Sequence, residues 1–490
     1  MTHSPRQILK STTALAIARV STLVASFVLS YFLARSLGSV GLGIYSTIIS
    51  FHSILETICS VGMRSFLTRD IARDLTQTNR YMTHAAIITS GMSLLAILIT
   101  IPVIRQMGYM GETVWGIIIA NLALFPSTWT TIYESAFIAH QKAEFVSYTM
   151  LTILVMRISG SIYLLLNGYG VISLIVFQTI LQYIAFGIST FFVARHLVVP
   201  HWEFDFTLLK GMLKNLRTFT AIGFLSSMLS QLEVLLLSVL QGESAVGIYS
   251  AASKLTWMWY VIPESYMRAV FPAMAAAYTR SQQEFQKLVN RSTKYLMAIA
   301  FPLGVGIAVT AGQFIPLFYG DGFTDSVAVL QLLAIIFVPS FLNEVLWRIL
   351  IVRDEQHLAL RTQVAGVVTK LGVSLLIVPL LSYMGTAYAL LASQVVYTGM
   401  HIFFVQRRDK PVPFIHLIWR FALAAGLMGA CALWLSSQFG IFVAVPVAIV
   451  LYVALLFLLR AFSAEELVLF SSLLRRRKPA SSESDSAKEK

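Results

Sequence analysis

The sequence has little charge and almost no cysteine. Only 12% of its 490 residues are charged and 57% are hydrophobic, whereas soluble domains usually carry about 25% charged residues. The two cysteines, Cys59 and Cys431, lie in apolar stretches, which favours buried small side chains over a disulfide or a metal pair. The mean hydropathy of +0.75 predicts a chain made mostly of membrane-spanning segments.

Sequence motifs of enzymes and nucleotide binders are also missing. The chain contains no glycine-rich loop that would cradle phosphates, no metal-ligand spacing and no nucleophile motif. We therefore predict a protein that is not an enzyme and has no cofactor or metal.

Apolar stretches of bilayer length recur along the chain. A helix needs about 20 mostly apolar residues to cross a bilayer, so we predict an all-α polytopic membrane protein with about 14 transmembrane helices. Their predicted ranges are 11–34, 41–63, 83–104, 113–138, 146–167, 171–194, 218–240, 249–273, 293–318, 326–351, 362–382, 384–406, 414–436 and 440–461.

The linkers between these stretches differ in charge on the two sides. On one side, seven short linkers hold only two basic residues, Arg35 and Arg105, while the opposite linkers and the termini hold about three quarters of the 36 Lys and Arg. Basic residues stay on the cytoplasmic side, so both termini are predicted to be cytoplasmic. The same rule accounts for the net charge of +13, and no nucleic-acid partner is predicted.

An internal repeat divides the chain. GSVGLGIYS at residues 38–46 aligns with GESAVGIYS at 242–250, and the same offset of 204 residues aligns Arg64 with Arg268. A same-direction repeat after six spans predicts two six-helix bundles related by an axis along the membrane normal. The predicted domains are an N-terminal bundle (1–199), an amphipathic connector lying as a helix on the cytoplasmic leaflet (200–217), a C-terminal bundle (218–410), two additional transmembrane helices (411–463) and a basic, then disordered tail (464–490).

Several motifs carry a resemblance to a known family. They are LARSLGSVGLGIYS (33–46), GMRSFLTRDIAR (62–73), VGIYSAASKL (246–255), FPAMAAAY (271–278), LFYGDGF (317–323) and GTAYALLASQ (385–394). In order and spacing they resemble the polysaccharide-type, Wzx-like flippases of the multidrug/oligosaccharidyl-lipid/polysaccharide exporter (MOP) superfamily, which are related to the lipid II flippase.

The resemblance implies a fold and a function. The fold is two bundles around a central cavity, and fourteen spans resemble the lipid II flippase, whose two extra helices form a groove for the lipid tail. The function is outward flipping of an undecaprenyl-pyrophosphate-linked oligosaccharide by alternating access, for O-antigen, capsule or exopolysaccharide biosynthesis. The implied setting is the bacterial cytoplasmic (inner) membrane, with membrane lipids, a polysaccharide polymerase and glycosyltransferases as partners.

Some charges inside the spans are not explained by topology. An ionised side chain at the bilayer centre costs at least about 2.5–3.5 kcal/mol, so it faces a wet cavity or a partner. The cations are Arg19, Arg157, Lys254, Arg268, Arg348, Lys370 and Arg420, and the acids are Glu56, Glu134, Glu233, Glu264 and Glu344. A cationic balance suits a pyrophosphate-linked glycolipid, because arginine presents a planar fork of donors to phosphate oxygens.

Four arginines are the predicted ligands of the pyrophosphate headgroup: Arg19, Arg64, Arg157 and Arg268. Arg64 and Arg268 are repeat mates, so each bundle would present one arginine at similar depth. The resemblance implies the same, since the lipid II flippase relies on arginines in helices 1, 2 and 8. Alternatively, the side chains of Arg64 and Arg268 snorkel to the cytoplasmic headgroups. For Lys254, which lies near the end of a predicted span, we favour snorkelling over ligand binding.

The carboxylates in the spans are candidates for coupling or for ion pairs. Glu264 and Arg268 are four residues apart, as are Glu344 and Arg348, and this spacing permits intrahelical ion pairs or pairs that exchange partners during transport. The other acids have no partner on their own helix and would suit proton coupling: Glu56, Glu134 and Glu233.

Other functions compete with the polysaccharide flippase. A lipid II flippase for peptidoglycan would share the fold and the anionic headgroup. A cation-coupled multidrug exporter needs acids for cationic drugs, but predicted span 1 contains Arg19 and no acid. A polymerase or glycosyltransferase needs a sizeable extramembrane loop, whereas no outer linker exceeds about ten residues. A passive assembly subunit would not need the cations.

Overall fold

The computed structural model describes the backbone of residues 5–60, 62–199, 201–408, 414–463 and 466. Side chains are described in these ranges except at residues 5–20, 23, 24, 215, 217–226, 228, 229, 408 and 415. No strand occurs in these ranges, so the all-helical fold is confirmed. The predicted disordered tail at 464–490 lies outside the described residues apart from Glu466.

Fifteen helices follow one another along the described chain. They are α1 (Pro5–Ser60), α2 (Met63–Arg73), α3 (Thr78–Gln106), α4 (Gly111–Asn121), α5 (Leu124–Ala139), α6 (Ala143–Leu166), α7 (Val171–His196), α8 (Phe206–Trp257), α9 (Val261–Arg280), α10 (Gln282–Tyr319), α11 (Ser326–Ile335), α12 (Phe337–Val352), α13 (Gln356–Arg408), α14 (Phe414–Phe439) and α15 (Ile441–Leu458).

Eleven helical stretches among the described residues are long and apolar enough to cross a bilayer. The three longest have 49, 51 and 52 residues, about twice what one crossing requires. Each contains a residue with positive φ: Gly38 at 66°, Gly242 at 80° and Ser382 at 50°. These breaks fall where the sequence predicts turns between spans. The polytopic membrane fold is confirmed, while the number of 14 spans stays a prediction.

Three predicted spans contain an additional interruption. Separate helices α4 and α5 share one span, α11 and α12 share another, and a 3-10 turn at Met258–Tyr260 separates α8 from α9. In each case a proline is the third residue of the second helix: Pro126, Pro339 and Pro263. Proline has no N–H for the carbonyl four residues earlier, and its ring clashes with that carbonyl. The preceding turn therefore cannot continue as regular helix.

Backbone packing divides the chain into two compact units. The first unit comprises Met1–Glu264, Ala311–Leu333 and Gln356–Met400, and the second comprises Ser265–Thr310, Ala334–Glu355 and His401–Lys490. This division does not follow the predicted domain boundaries, so the two six-helix bundles stay a prediction.

The two repeat sequences pack against each other in the first unit. A Cβ on Gly43 would lie 1.7 Å from the carbonyl oxygen of Glu243, and a Cβ on Gly247 would lie 1.9 Å from that of Ser39. The repeat offset relates Ser39 to Glu243 and Gly43 to Gly247, so α1 and α8 cross with approximate two-fold symmetry. Glycine is required at both positions because only a residue without a Cβ lets two backbones approach this closely.

Residues 201–205 form a non-helical strap that is bound to α3. The Asn79 amide donates to the carbonyl oxygen of His201 at 2.7 Å and accepts from its N–H at 3.1 Å. The ring of Phe204 stacks on His84 with centroids 5.8 Å apart. The backbone N–H of Asp205 donates to Nε2 of His84 at 2.8 Å. Side chains of α3 therefore satisfy the backbone of the strap.

Asp205 ends the strap and begins α8. Its carboxylate accepts from the N–H groups of Thr207 at 2.7 Å and Leu208 at 3.2 Å, which caps the helix, and it pairs with Arg80 on α3. The hydrogen bond from Arg80 and the two backbone bonds lower the pKa of Asp205. α8 then continues from Phe206 directly into predicted span 7, so residues 206–217 belong to that helix and residues 201–205 are not helical. The position of the predicted connector (200–217) on the cytoplasmic leaflet stays a prediction.

The predicted additional helices are α14 and α15 of the second unit, which meet at Gly440 with φ of 76°. The Tyr452 hydroxyl of α15 donates to the carbonyl oxygen of Ala298 on α10 at 2.9 Å. The Arg420 guanidinium of α14 donates to the carbonyl oxygen of Arg460 at 2.5 Å. These bonds tie α15 to α10 and hold the end of α15 against α14.

Candidate functional site

Arg64 lies in the first turn of α2 and is paired with a carboxylate of α5. Its Nη2 donates to Oε2 of Glu134 at 2.7 Å. The Arg64 side chain is 55% exposed, while that of Glu134 is 16% exposed. Within the described part of the chain, this bond uses one of the five guanidinium donors, so the rest of the fork is available to an anion. Glu56 on α1 is a second carboxylate, close enough to Glu134 for an electrostatic interaction.

Glu233 on α8 has a partner that its own helix does not supply. Its Oε2 lies 2.5 Å from Nζ of Lys370 on α13, and the two side chains are 2% and 4% exposed. Each charge is neutralised by the other, and removal of either would leave an uncompensated buried charge. Lys370 was not among the predicted site residues, because no spacing in the sequence links it to Glu233.

Two further cations of the first unit have no carboxylate partner among the described residues. Arg157 is half-buried in the middle of α6. Lys254 lies near the end of α8, with Nζ 5.4 Å from the centroid of the Tyr45 ring, and the Tyr45 hydroxyl accepts from the Gln178 amide at 3.0 Å. The sequence favoured snorkelling for Lys254, whereas the structure places its amine against an aromatic ring in a cation–π contact.

The other two predicted arginines are less completely placed. Arg19 belongs to α1, but its side chain is not among those described. Arg268 lies on α9 with an exposed side chain, and Glu264 precedes it by one turn. Arg268 and Glu264 each have an interaction partner. The headgroup roles of Arg19 and Arg268 and the pairing of Arg268 with Glu264 stay predictions.

Glu344 and Arg348 lie one turn apart on α12 in the second unit. Arg348 Nη2 lies 3.9 Å from Glu344 Oε2, so the predicted intrahelical ion pair forms. The Arg348 guanidinium also lies 5.4 Å from the centroid of the Phe271 ring. Both contacts reduce the cost of placing a charge within a predicted span.

The charged side chains of the first unit are only partly paired with one another. No group of three or more His, Cys, Asp or Glu side chains that could hold a metal ion occurs in the described ranges. In the first unit, Glu134 and Glu233 are each engaged by a cation, whereas Arg157 and Lys254 are not engaged by a described carboxylate. Arg157, Lys254 and Glu56 therefore have no ion pair among the described residues of the first unit.

Comparison with known sequences agrees with the motifs. The profile of a family described as "Polysaccharide biosynthesis protein" matches residues 32–328, more than half of the chain. A Haloferax volcanii protein named "Probable low-salt glycan biosynthesis flippase Agl15" is 23% identical over 388 residues, which cover 76% of this chain and 77% of that protein.

Comparison with solved structures identifies the fold. The lipid II flippase MurJ in an inward closed conformation aligns with a TM-score of 0.74 and 14% identity, over 95% of this chain and 100% of that chain. An inward-facing multidrug resistance MATE family transporter of the MOP superfamily aligns with a TM-score of 0.66 and 17% identity, over 81% and 98% of the two chains. The chain belongs to the polysaccharide biosynthesis protein family and has the membrane fold of the MOP superfamily, as its motifs predict.

Proposed function

We propose that this protein is a flippase that moves an undecaprenyl-pyrophosphate-linked oligosaccharide from the cytoplasmic to the outer leaflet by alternating access. The observation that carries the proposal is that two cations of the first unit, Arg157 and Lys254, have no carboxylate partner among the described residues. Arg64 is paired with Glu134 through one donor of its guanidinium fork. A pyrophosphate is an anion that must pass the hydrocarbon, where an unmatched charge is expensive. Arginine matches phosphate oxygens with a planar fork of donors and stays protonated.

The same charges argue against a cation-coupled multidrug exporter. A cationic drug requires carboxylates that are free to receive it. Of Glu56, Glu134 and Glu233, the last two are engaged by Arg64 and Lys370 at 2.7 Å and 2.5 Å, and only Glu56 has no cation partner among the described residues. The proteins to which this chain is similar are named as flippases and transporters, and moving a lipid between leaflets needs no catalytic residue.

Reconstitution with defined lipid-linked substrates tests the proposal. Arg157→Gln and Lys254→Gln each remove a charge without leaving a described carboxylate unpaired. We expect each to slow translocation about 10- to 100-fold, since a hydrogen bond to a charged group contributes about 1.5–3 kcal/mol. Arg105→Gln is the matched control, because Arg105 is exposed at the end of α3 and should leave the rate unchanged.

The possible outcomes distinguish the role of Arg157 and Lys254 from the flippase activity as a whole. Wild-type rates in both Arg157→Gln and Lys254→Gln would show that these cations do not contact the substrate. Absence of translocation by the wild-type protein with every lipid-linked glycan would remove the flippase proposal. Lipid II is included as a substrate, and its preferential transport would select the peptidoglycan alternative.

We also propose that both termini face the cytoplasm of a bacterium. Cysteines can be placed at exposed positions on the two predicted sides in a background without Cys59 and Cys431. Asn167→Cys lies in the predicted outer turn between α6 and α7, and Gln283→Cys lies near the predicted inner end of α10. A membrane-impermeant thiol reagent added to intact cells should label Asn167→Cys alone, and the reverse pattern would invert the proposed orientation.

A further inference from the structure

We infer that a polar pocket of the first unit is a subsite for one neutral sugar ring of the substrate, an inference that rests on the proposed flippase function. The pocket lies between α8 and α13 and has a volume of about 190 Å³. Six of its lining residues carry hydrogen-bonding groups or aromatic rings suited to a sugar: Ser230, Trp257, Gln363, Ser393, Gln394 and Tyr397. Polar groups converging on a pocket are the usual mark of a ligand site.

The volume selects the size of the ligand. At about 30 Å³ for each water molecule, the pocket holds about six waters. It is smaller than the roughly 300–1,000 Å³ of sites for drug-sized molecules. One pyranose ring fits this space, whereas a polyprenyl tail or a whole oligosaccharide does not.

The lining can both donate and accept hydrogen bonds. The carboxamide of Gln363 has two donors and an acceptor. This side chain has no hydrogen-bond partner in the part of the chain that the structure describes. The Ser393 hydroxyl donates to the carbonyl oxygen of Gly366 at 2.8 Å, and that of Ser230 donates to the carbonyl oxygen of Ser227 at 3.0 Å. Each serine hydroxyl therefore keeps lone pairs that can accept a hydrogen bond from a ligand hydroxyl.

Aromatic rings give the pocket an apolar face. Trp257 is 47% exposed and lies against Tyr260 with ring centroids 5.0 Å apart, and Tyr397 also lines the pocket. The C–H face of a pyranose is apolar and can lie on such a ring.

The charge of the pocket selects a neutral ligand. Lys370 lines the pocket, but its ammonium lies 2.5 Å from the Glu233 carboxylate. The pair has no net charge, so the pocket has no electrostatic preference for a pyrophosphate. A neutral sugar next to the pyrophosphate is the part of the substrate that its polar, uncharged lining matches.

Two substitutions on α13 test the subsite with little risk to the fold. Gln363→Met keeps the length of the side chain and removes its hydrogen-bonding groups. Gly366→Ala adds a methyl group to the pocket at 3.5 Å from Ser393 Oγ and 3.7 Å from Tyr397 Cβ, which is ordinary van der Waals contact. Gly372→Ala on the same helix is the control, because nothing lies within 4 Å of its added Cβ.

Translocation is measured in proteoliposomes with undecaprenyl pyrophosphate carrying one neutral sugar and with the same lipid carrying none. We expect Gln363→Met and Gly366→Ala to lower translocation of the glycosylated lipid about threefold to tenfold, as for loss of one hydrogen bond. The unglycosylated lipid and the Gly372→Ala variant should be unaffected. Equal losses on both lipids, or no loss, would overturn the subsite and leave the flippase proposal intact.

A protein that is not a flippase would give a different result in the same experiment. If the wild-type protein translocates neither lipid, the subsite is judged by binding alone, with purified protein titrated with methyl glycosides while tryptophan fluorescence is recorded. A saturable change that is abolished by Trp257→Phe and weakened by Gln363→Met supports a sugar site. The absence of a saturable change, or a change that both variants retain, overturns it.

Discussion

Alanine in place of Gly43 or Gly247 should force α1 away from α8 at the repeat crossing. The added Cβ would lie 1.7 Å from the Glu243 carbonyl oxygen in one variant and 1.9 Å from the Ser39 carbonyl oxygen in the other. Both obstacles are backbone atoms, which no side-chain rotation can move. The helices must therefore separate by about 1 Å or more to restore the 3.0 Å below which Cβ contacts essentially do not occur.

Overpacking of this kind typically lowers the free energy of unfolding by about 1–3 kcal/mol. The two contacts belong to one crossing, so a shift that relieves the first also relieves the second. We therefore expect Gly43→Ala and Gly247→Ala together to destabilise the protein by about as much as either alone, because substitutions that share one structural adjustment are not additive.

The native Cys59 thiol, which is fully buried, reports unfolding in a background carrying Cys431→Ala. Its reaction with a thiol reagent is followed across a denaturant series in detergent. Gly91→Ala on α3 is the control, since nothing lies within 4 Å of its added Cβ. Stabilities of Gly43→Ala and Gly247→Ala equal to that of Gly91→Ala would refute the close crossing, and full additivity in the double variant would refute the shared shift.

Two other contacts of the first unit give measurable predictions. Glu233→Gln or Lys370→Met alone should lower the free energy of unfolding by about 3–5 kcal/mol, whereas the double variant should lower it by much less. Additive losses of stability in a denaturation series would contradict the buried pair. Because the pKa of Asp205 is lowered in the folded protein, its stabilisation of the helix start is present above about pH 3.9 and is lost as the pH falls through the lower folded value. As the pH falls through this range, hydrogen exchange of the Thr207 and Leu208 amides, corrected for the intrinsic pH effect, should accelerate in the wild type but not in Asp205→Asn. Identical exchange profiles in the two proteins would contradict the cap.

Local sequence features predicted the helices and several of their ends. The breaks at Gly38, Gly242 and Ser382 fall in predicted turns, because a turn depends on the residues within it. The interruptions before Pro126 and Pro339 were missed although both prolines are plain in the sequence. A search for apolar length treats a proline as one more tolerated residue, whereas the backbone loses a hydrogen bond there.

The repeat shows what the sequence and the tertiary structure each reveal. Its two copies were recognised as a recurring motif, and the predicted spans leave Gly38 and Gly242 in linkers, where both residues have positive φ. The role of Gly43 and Gly247 was not foreseen, because a helix crossing brings together residues from both copies. Only the packed pair shows that the last glycine of each motif is needed for a backbone contact.

The sequence alone determined that this protein is helical, polytopic and built from two related stretches, because apolar length, turn residues and repeats are local properties of a chain. It did not determine which charge meets which. Arg64 pairs with Glu134, Glu233 pairs with Lys370, and the strap at 201–205 binds α3. Each of these contacts depends on which faces of distant helices come together, and only the tertiary structure decided that.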